Sequence, residues 1–177
     1  GNSDILLQHA LRPFEEAEWE VTLLWLRELT VKPCLACEHC TAHGSCALDD
    51  DMHLFYDAFR RCDALIVATP TYSRNVSAQL LAVMDRHYCV REERPLKGKP
   101  GGAIAVGRGT CGGQTIAINA IYNWMRSCGA ICVPGELNGL TAVADKPGDV
   151  LKQEKRLRQA RVLGENVLRV AEKVRQA

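Results

Sequence analysis

Almost no net charge is left when the 22 Lys and Arg of this 177-residue chain are set against its 21 Asp and Glu: the balance is +1 with His neutral. No broad field therefore draws it to nucleic acid or to an anionic membrane. No apolar run is long enough to span a bilayer. The start is polar and its first apolar stretch is amphipathic, so no export signal is read there. The expected compartment is then the cytoplasm, where thiols stay reduced. Internal repeats and low-complexity segments are absent. Hydrophobic residues at 47% and charged ones at 24% make an ordinary soluble balance, enough for one domain over residues 1–177 with a sizeable core.

Cysteine is plentiful. Four of the nine stand at Cys34, Cys37, Cys40 and Cys46, spaced C-x2-C-x2-C-x5-C. Four thiolates converging from one loop are what an iron–sulfur cluster needs. Zinc also takes four thiolates, but its usual frameworks pair two short knuckles across a longer gap. A third reading is that these thiols hold no metal, being left by a lost cluster or only packing. A cytoplasmic setting disfavours disulfides. Cys62 falls at helical spacing with Met52, Phe55 and Phe59 and reads as a core thiol.

The chain alternates between the two hydrophobic periods. A helix is expected near Asp4, capped by Asn2 or Ser3. Residues 21–26 alternate and read as a strand. Asp49, Asp50 and Asp51 sit where a helix N-terminus favours acids. The apolar run 64–69, stopped by Pro70, reads as a strand buried on both faces. A helix follows from about 76 to 87, a buried strand over 102–106, a helix over 114–127 and a short strand over 130–133. Residues 134–148 read as loop, and a last helix starts near Asp149 with a solvated basic face. Alternating strands and helices mean a parallel sheet with helices on both faces. Ligands then sit beyond the carboxyl ends of the strands, where the cysteine loop, residues 69–75 and residues 107–113 should meet.

Thr69, Pro70, Thr71, Tyr72 and Ser73 offer hydroxyls, amides and a ring after a buried strand, which suits a planar ligand with polar edges. The plainer reading is a turn whose Tyr72 packs. Gly107, Arg108, Gly109, Gly112 and Gly113 let backbone come close to a ligand. They do not meet the dinucleotide fingerprint, G-x-G-x-x-G with a following acid.

Taken together, Pro33 to Cys46 with Asp50-Asp51-Met52, Thr69-Pro70-Thr71-Tyr72, Ser77-Ala78-Gln79-Leu80 through Asp85-Arg86, Leu96-Lys97-Gly98-Lys99 and the glycine loop up to Gln114 resemble the iron–sulfur flavoproteins. These form a branch of the NADPH-dependent FMN reductases, with the flavodoxin-like fold. The resemblance implies a doubly wound α/β sheet of order 2-1-3-4-5. It implies FMN wrapped by residues 69–73 and 107–113, and a [4Fe–4S] cluster on Cys34, Cys37, Cys40 and Cys46. It also implies homo-oligomers, a homodimer or homotetramer, in which one subunit's cluster faces a neighbour's flavin. Arg74 stands where such chains usually carry glycine, and Leu81 where they carry lysine. Family members open on a strand and a phosphate loop, G-S-x-R-x-x-G-N-T, of which Gly1-Asn2-Ser3 matches the last three positions. The expectation is a first strand missing ahead of Gly1, leaving Ser3 and the first helix's amides for the FMN phosphate.

The leading functional reading is a flavin redox protein passing electrons between NAD(P)H, or a ferredoxin-like carrier, and an acceptor. The redox chemistry belongs to its cofactors, so no acid–base catalytic residue is required. A cluster-free FMN or quinone reductase and a zinc-stabilised binding module are the alternatives.

Overall fold

The computed structural model describes residues 1–176. Helix α1 (Asn2–Glu16) starts two residues before the expected Asp4 and carries Leu6, Ala10 and Phe14 on its buried side. After the cysteine loop and its one-turn helix α2 (His39–His43) comes α3 (Met52–Arg61), which buries Met52, Phe55, Tyr56 and Phe59. Strand β1 (Leu65–Pro70), helix α4 (Ala78–Arg86) and a 3-10 turn (His87–Val90) follow. Then come β2 (Pro100–Gly107), α5 (Gln114–Ser127), β3 (Ile131–Cys132) and β4 (Leu140–Val143). A 3-10 turn (Asp149–Lys152) precedes α6 (Glu154–Arg175), so the last helix begins later than Asp149.

Among the described residues, all strand pairings within the sheet are parallel. β2 is central and buried along its whole length. β1 flanks it on one side, with Leu65 opposite Gly101 and Pro70 opposite Val106. β3 and β4 share the other side, β3 along Pro100 and Gly101 and β4 along Ile104 to Gly107. This is the 3-4-5 part of the expected order. The period of two along β2 divides the core. Ala103 and Ala105 join Phe55, Leu80, Ile118 and Met125 on one face. Ile104 and Val106 join Leu6, Ala10, Leu163 and Val167 on the other. Each fully buried Leu, Ile, Val or Met among them contributes roughly 1.5–3 kcal/mol. α1 crosses α6 closely at Gly164, where a Cβ would meet the Ala10 carbonyl.

Some sequence expectations fail: α1 is capped by Gly1 with no side-chain hydrogen bond from Asn2 or Ser3, and β1 is half-buried except at Thr69 rather than buried on both faces. Residues 21–26 form no strand; they run without sheet partners. Their apolar side chains are divided between the two cores, Val21 with the α1–α6 core and Leu24 and Leu26 with the other. Hydrophobic alternation sets which side chains face inward, but a strand needs a neighbouring ladder as well. Residues 140–143, read as loop, are the strand β4, with Leu140 and Ala142 buried. Four residues between Gly139 and a polar turn are too few to show a period. Among the described residues, no helix is long and apolar enough to cross a membrane.

Candidate functional site

Two of the three expected loops come together at the carboxyl ends of the strands. The Thr71 amide donates to Val106 O at 2.8 Å, and its hydroxyl reaches the same oxygen at 3.3 Å. Tyr72 and Asn75 exchange backbone hydrogen bonds at 3.1 and 3.0 Å around Ser73 (φ 48°) and Arg74 (φ 65°). Two left-handed central residues make a tight type I′ turn. Thr69 is buried at 1% exposure; its hydroxyl donates to Pro70 O and accepts from the Ser77 amide, so it fastens the loop to α4. Ser77 in turn caps α4 by accepting from the Leu80 amide. Of residues 69–73, the Tyr72 ring stands out, 60% exposed.

The glycine loop interlocks with this turn. A Cβ on Gly107 would lie 2.6 Å from Thr71 Oγ1. Gly113, at φ +90°, lies against the Arg74 backbone. Gln114, which the sequence did not single out, is buried and donates from Nε2 to Gly109 O at 2.8 Å and Ala142 O at 3.2 Å. One side chain thus ties the glycine loop to β4. Gly109 itself faces open space, and Gly112 closes a turn onto Gly109 O at 3.0 Å. Arg108 is 82% exposed and pairs with Asp145 at 2.6 Å, an exposed pair worth at most about 1 kcal/mol. The first turn of α1, with Ser3, is held beside the loop after β4: Asn2 donates to Lys146 O and accepts from the Gly148 amide, both at 2.9 Å. Backbone donors, an exposed aromatic ring and an open glycine floor thus converge where a parallel sheet places its ligands. These residues fit a flat, phosphate-bearing cofactor such as FMN.

The cysteine loop does not join them. Cys34, Cys37, Cys40 and Cys46 line one cavity of about 370 Å³, whose far wall is Asp85 and Tyr88. That wall is the end of α4, whereas Ser77 by the turn is its start; nine residues at 1.5 Å each put roughly 13 Å between them. No residue of 69–75 or 107–113 lines this cavity. The strand expected before the cysteine loop is absent, so nothing carries the loop to the strand ends. Cys34 and Cys37 are exposed, Cys40 and Cys46 half-buried. Among the described residues, no three His, Cys, Asp or Glu side chains are gathered closely enough for one metal ion. The thiols surround a space instead, an arrangement that fits a group with several metal atoms.

The loop is closed at its neck. Asp51 accepts from the Thr30 amide at 2.6 Å and its own amide returns to Thr30 O. Asp50 accepts from the amides of Lys32 (2.9 Å) and Met52 (3.1 Å) and from Arg86 Nη1 (2.5 Å). The acids expected to serve the α3 dipole are mainly spent on this closure. Arg86 Nη1 also reaches Lys32 O, and Nη2 reaches Cys46 Sγ at 3.3 Å. Burial alone would push the Cys46 thiol up. The Leu48 amide, the Arg86 guanidinium and the Tyr56 hydroxyl outweigh it, and the group lies below its ordinary thiol value. Burial likewise opposes the Asp50 carboxylate, yet Arg86 and the two amides hold it below the usual carboxylate range. Cys89 lies beside Cys40 and Cys46, and burial pushes its thiol up. Arg86, Tyr56 and Cys89 were not singled out as site residues, because they lie outside the cysteine loop and share no regular spacing with it. Cys62 packs in the α3–α5 core, and Cys111 is exposed on the glycine loop.

A family model described as NADPH-dependent FMN reductase matches residues 1–143. An iron–sulfur flavoprotein of Methanocaldococcus jannaschii is 33% identical over 179 residues, covering 99% of this chain and 93% of that protein. An iron–sulfur flavoprotein of Methanosarcina thermophila is 37% identical over 133 residues, 75% of this chain and 70% of that one. Among solved structures, RosB with a bound riboflavin-phosphate derivative aligns over 100% of this chain and 75% of its own, with TM-score 0.77 and 13% identity. A WrbA-like flavodoxin from Agrobacterium tumefaciens aligns over 99% and 91%, with TM-score 0.67 and 18% identity. These structural matches establish the flavodoxin-like fold.

Proposed function

Because the chain belongs to the NADPH-dependent FMN reductase family, in its iron–sulfur flavoprotein branch, we propose that it carries a [4Fe–4S] cluster beside its FMN and passes electrons between NAD(P)H or a ferredoxin-like carrier and an acceptor. Its type is that of a flavin-dependent oxidoreductase. The observation that carries the cluster reading is the single cavity lined by Cys34, Cys37, Cys40 and Cys46. The depressed Cys46 thiol supports it, since thiolate is the ligating form.

When bound, FMN takes up hydride or single electrons and the cluster moves one electron at a time. The chain's own residues bind and orient. Ser3 and the first amides of α1 would take the phosphate, with the helix dipole favouring the anion. The backbone of residues 70–73 and 107–112 would edge the ring, and the exposed Tyr72 side chain is free to contact it. Thr69, Gln114 and the interlocked glycines keep that cradle rigid before ligand arrives.

The distance between the two sites supports an assembly in which the cysteine loop meets a neighbour's flavin loops. Leu35, 66% exposed on the rim of the cysteine cavity, gives such a contact an apolar element.

The test is absorption of protein purified without oxygen, with iron, sulfide and flavin measured on the same sample. Flavin bands with a broad shoulder near roughly 400 nm and stoichiometric iron and sulfide are expected. Flavin alone would mean a cluster-free reductase. A colourless zinc protein would overturn the reading.

A further inference from the structure

We propose that Arg86 is a positioning residue that raises the reduction potential of the metal group held by Cys46. This rests on the cluster reading above. Arg86 and Asp50 are buried together, with side chains 2% and 1% exposed. Charges so placed are barely screened by salt or water. The guanidinium is held from two sides: Nη1 on Asp50 at 2.5 Å and on Lys32 O at 3.2 Å. Asp50 is itself fixed by the Lys32 and Met52 amides and cannot swing away. The fork of the guanidinium therefore presents Nη2 to Cys46 Sγ at 3.3 Å in one orientation.

That arrangement is a fixed dipole. Its negative end is tied down at the neck of the loop and its positive end touches a ligand sulfur. The other groups facing Cys46 are the Leu48 amide and the Tyr56 hydroxyl, and both are neutral; the hydroxyl donates to Arg86 O at 3.2 Å. Arg86 is thus the only full positive charge among these neighbours. One electron arriving from the carrier adds one negative charge beside it, with no bond made or broken. Hydrogen bonds to the sulfurs and local charge are what set cluster potentials. An N–H donor and a positive charge both favour the reduced state.

The experiment is a potentiometric titration of the holoprotein, wild type against Arg86→Met, with the cluster followed by paramagnetic resonance and the flavin by absorbance. Iron and sulfide are counted first on each sample. The expected result is a cluster midpoint lowered so that its reduction equilibrium falls about tenfold, 59 mV for one electron. The flavin midpoint, read at the other end of α4, should stay in place. Arg86→Met leaves Asp50 buried without its partner. The double variant Arg86→Met with Asp50→Asn removes that charge and serves where the single variant does not hold iron. Its midpoint should also lie below wild type, by less than the single variant. A loaded variant with full iron and an unmoved cluster midpoint overturns the assignment to Arg86 alone. Wild type without iron overturns the cluster reading and this inference with it.

Discussion

Gly113 sits with its bare α-carbon against Arg74: a Cβ placed on it would lie 2.4 Å from Arg74 Cα and 2.6 Å from Arg74 O, at φ +90°. The two loops at the strand ends are therefore locked by backbone-to-backbone contact, and no side chain can retreat to make room. Gly113→Ala should cost about 1–2 kcal/mol for the left-handed backbone alone, and the displaced turn adds to that. Thermal unfolding and FMN titration of the variant measure it. Unchanged stability and unchanged affinity would show that the loops are not packed in this way.

Arg74 occupies the second left-handed position of the turn, at φ 65°, where such turns favour glycine. Arg74→Gly should relieve strain and stabilise the fold by roughly 0.5–1 kcal/mol, after the entropy that glycine adds to the unfolded chain. It also removes a positive side chain beside the proposed ring site. Urea midpoints check the first effect and the flavin's potential the second.

Asp50→Asn should destabilise by about 3–5 kcal/mol at neutral pH, because Arg86 is left buried without its carboxylate. The folded carboxylate titrates below its ordinary value. Its contribution is therefore fully present above the unfolded value of about 3.9. It is lost as pH falls through the depressed folded value. Urea unfolding should show a constant gap between wild type and variant from roughly pH 5 to 8, narrowing below about pH 4. A gap that widens in acid would contradict the pair.

Cys37→Ser should remove most of the bound iron, since Cys37 is one of the four thiols on the cavity wall. Cys62→Ser should leave iron content unchanged, because Cys62 packs against the α3–α5 core. Iron and sulfide analysis of the two variants separates a ligand from a packing thiol.

Sedimentation of the holoprotein at micromolar concentration should give a dimer or tetramer, with Leu35→Glu shifting it toward monomer. The motive is the exposed Leu35 on the cysteine cavity and the separation of that cavity from the flavin loops. A monomer that still moves electrons from cluster to flavin would exclude the route between subunits.

Much of this molecule was set by local sequence. The apolar run ending at Pro70, half-buried in the fold, the buried stretch up to Gly107 and the helical stripes of α3, α5 and α6 each fix their own backbone, because burial selects a period and Pro or Gly stops it. The four-cysteine spacing likewise fixes what one loop can offer a metal. What remained undecided lay between segments. Residues 21–26 alternate like a strand, yet they gain no ladder, while residues 140–143 are short and punctuated, yet β2 offers them an edge. Arg86 meets Asp50 across 36 positions and Cys46 across 40, and Gln114 meets Ala142 across 28. Local sequence determines dihedral preference and which side is apolar. Which donors reach which acceptors, and that the thiols stand at one end of α4 and the strand-end loops at the other, is decided only when the layers close on one core. Hydrogen bonds and buried charges depend on distances that packing alone supplies.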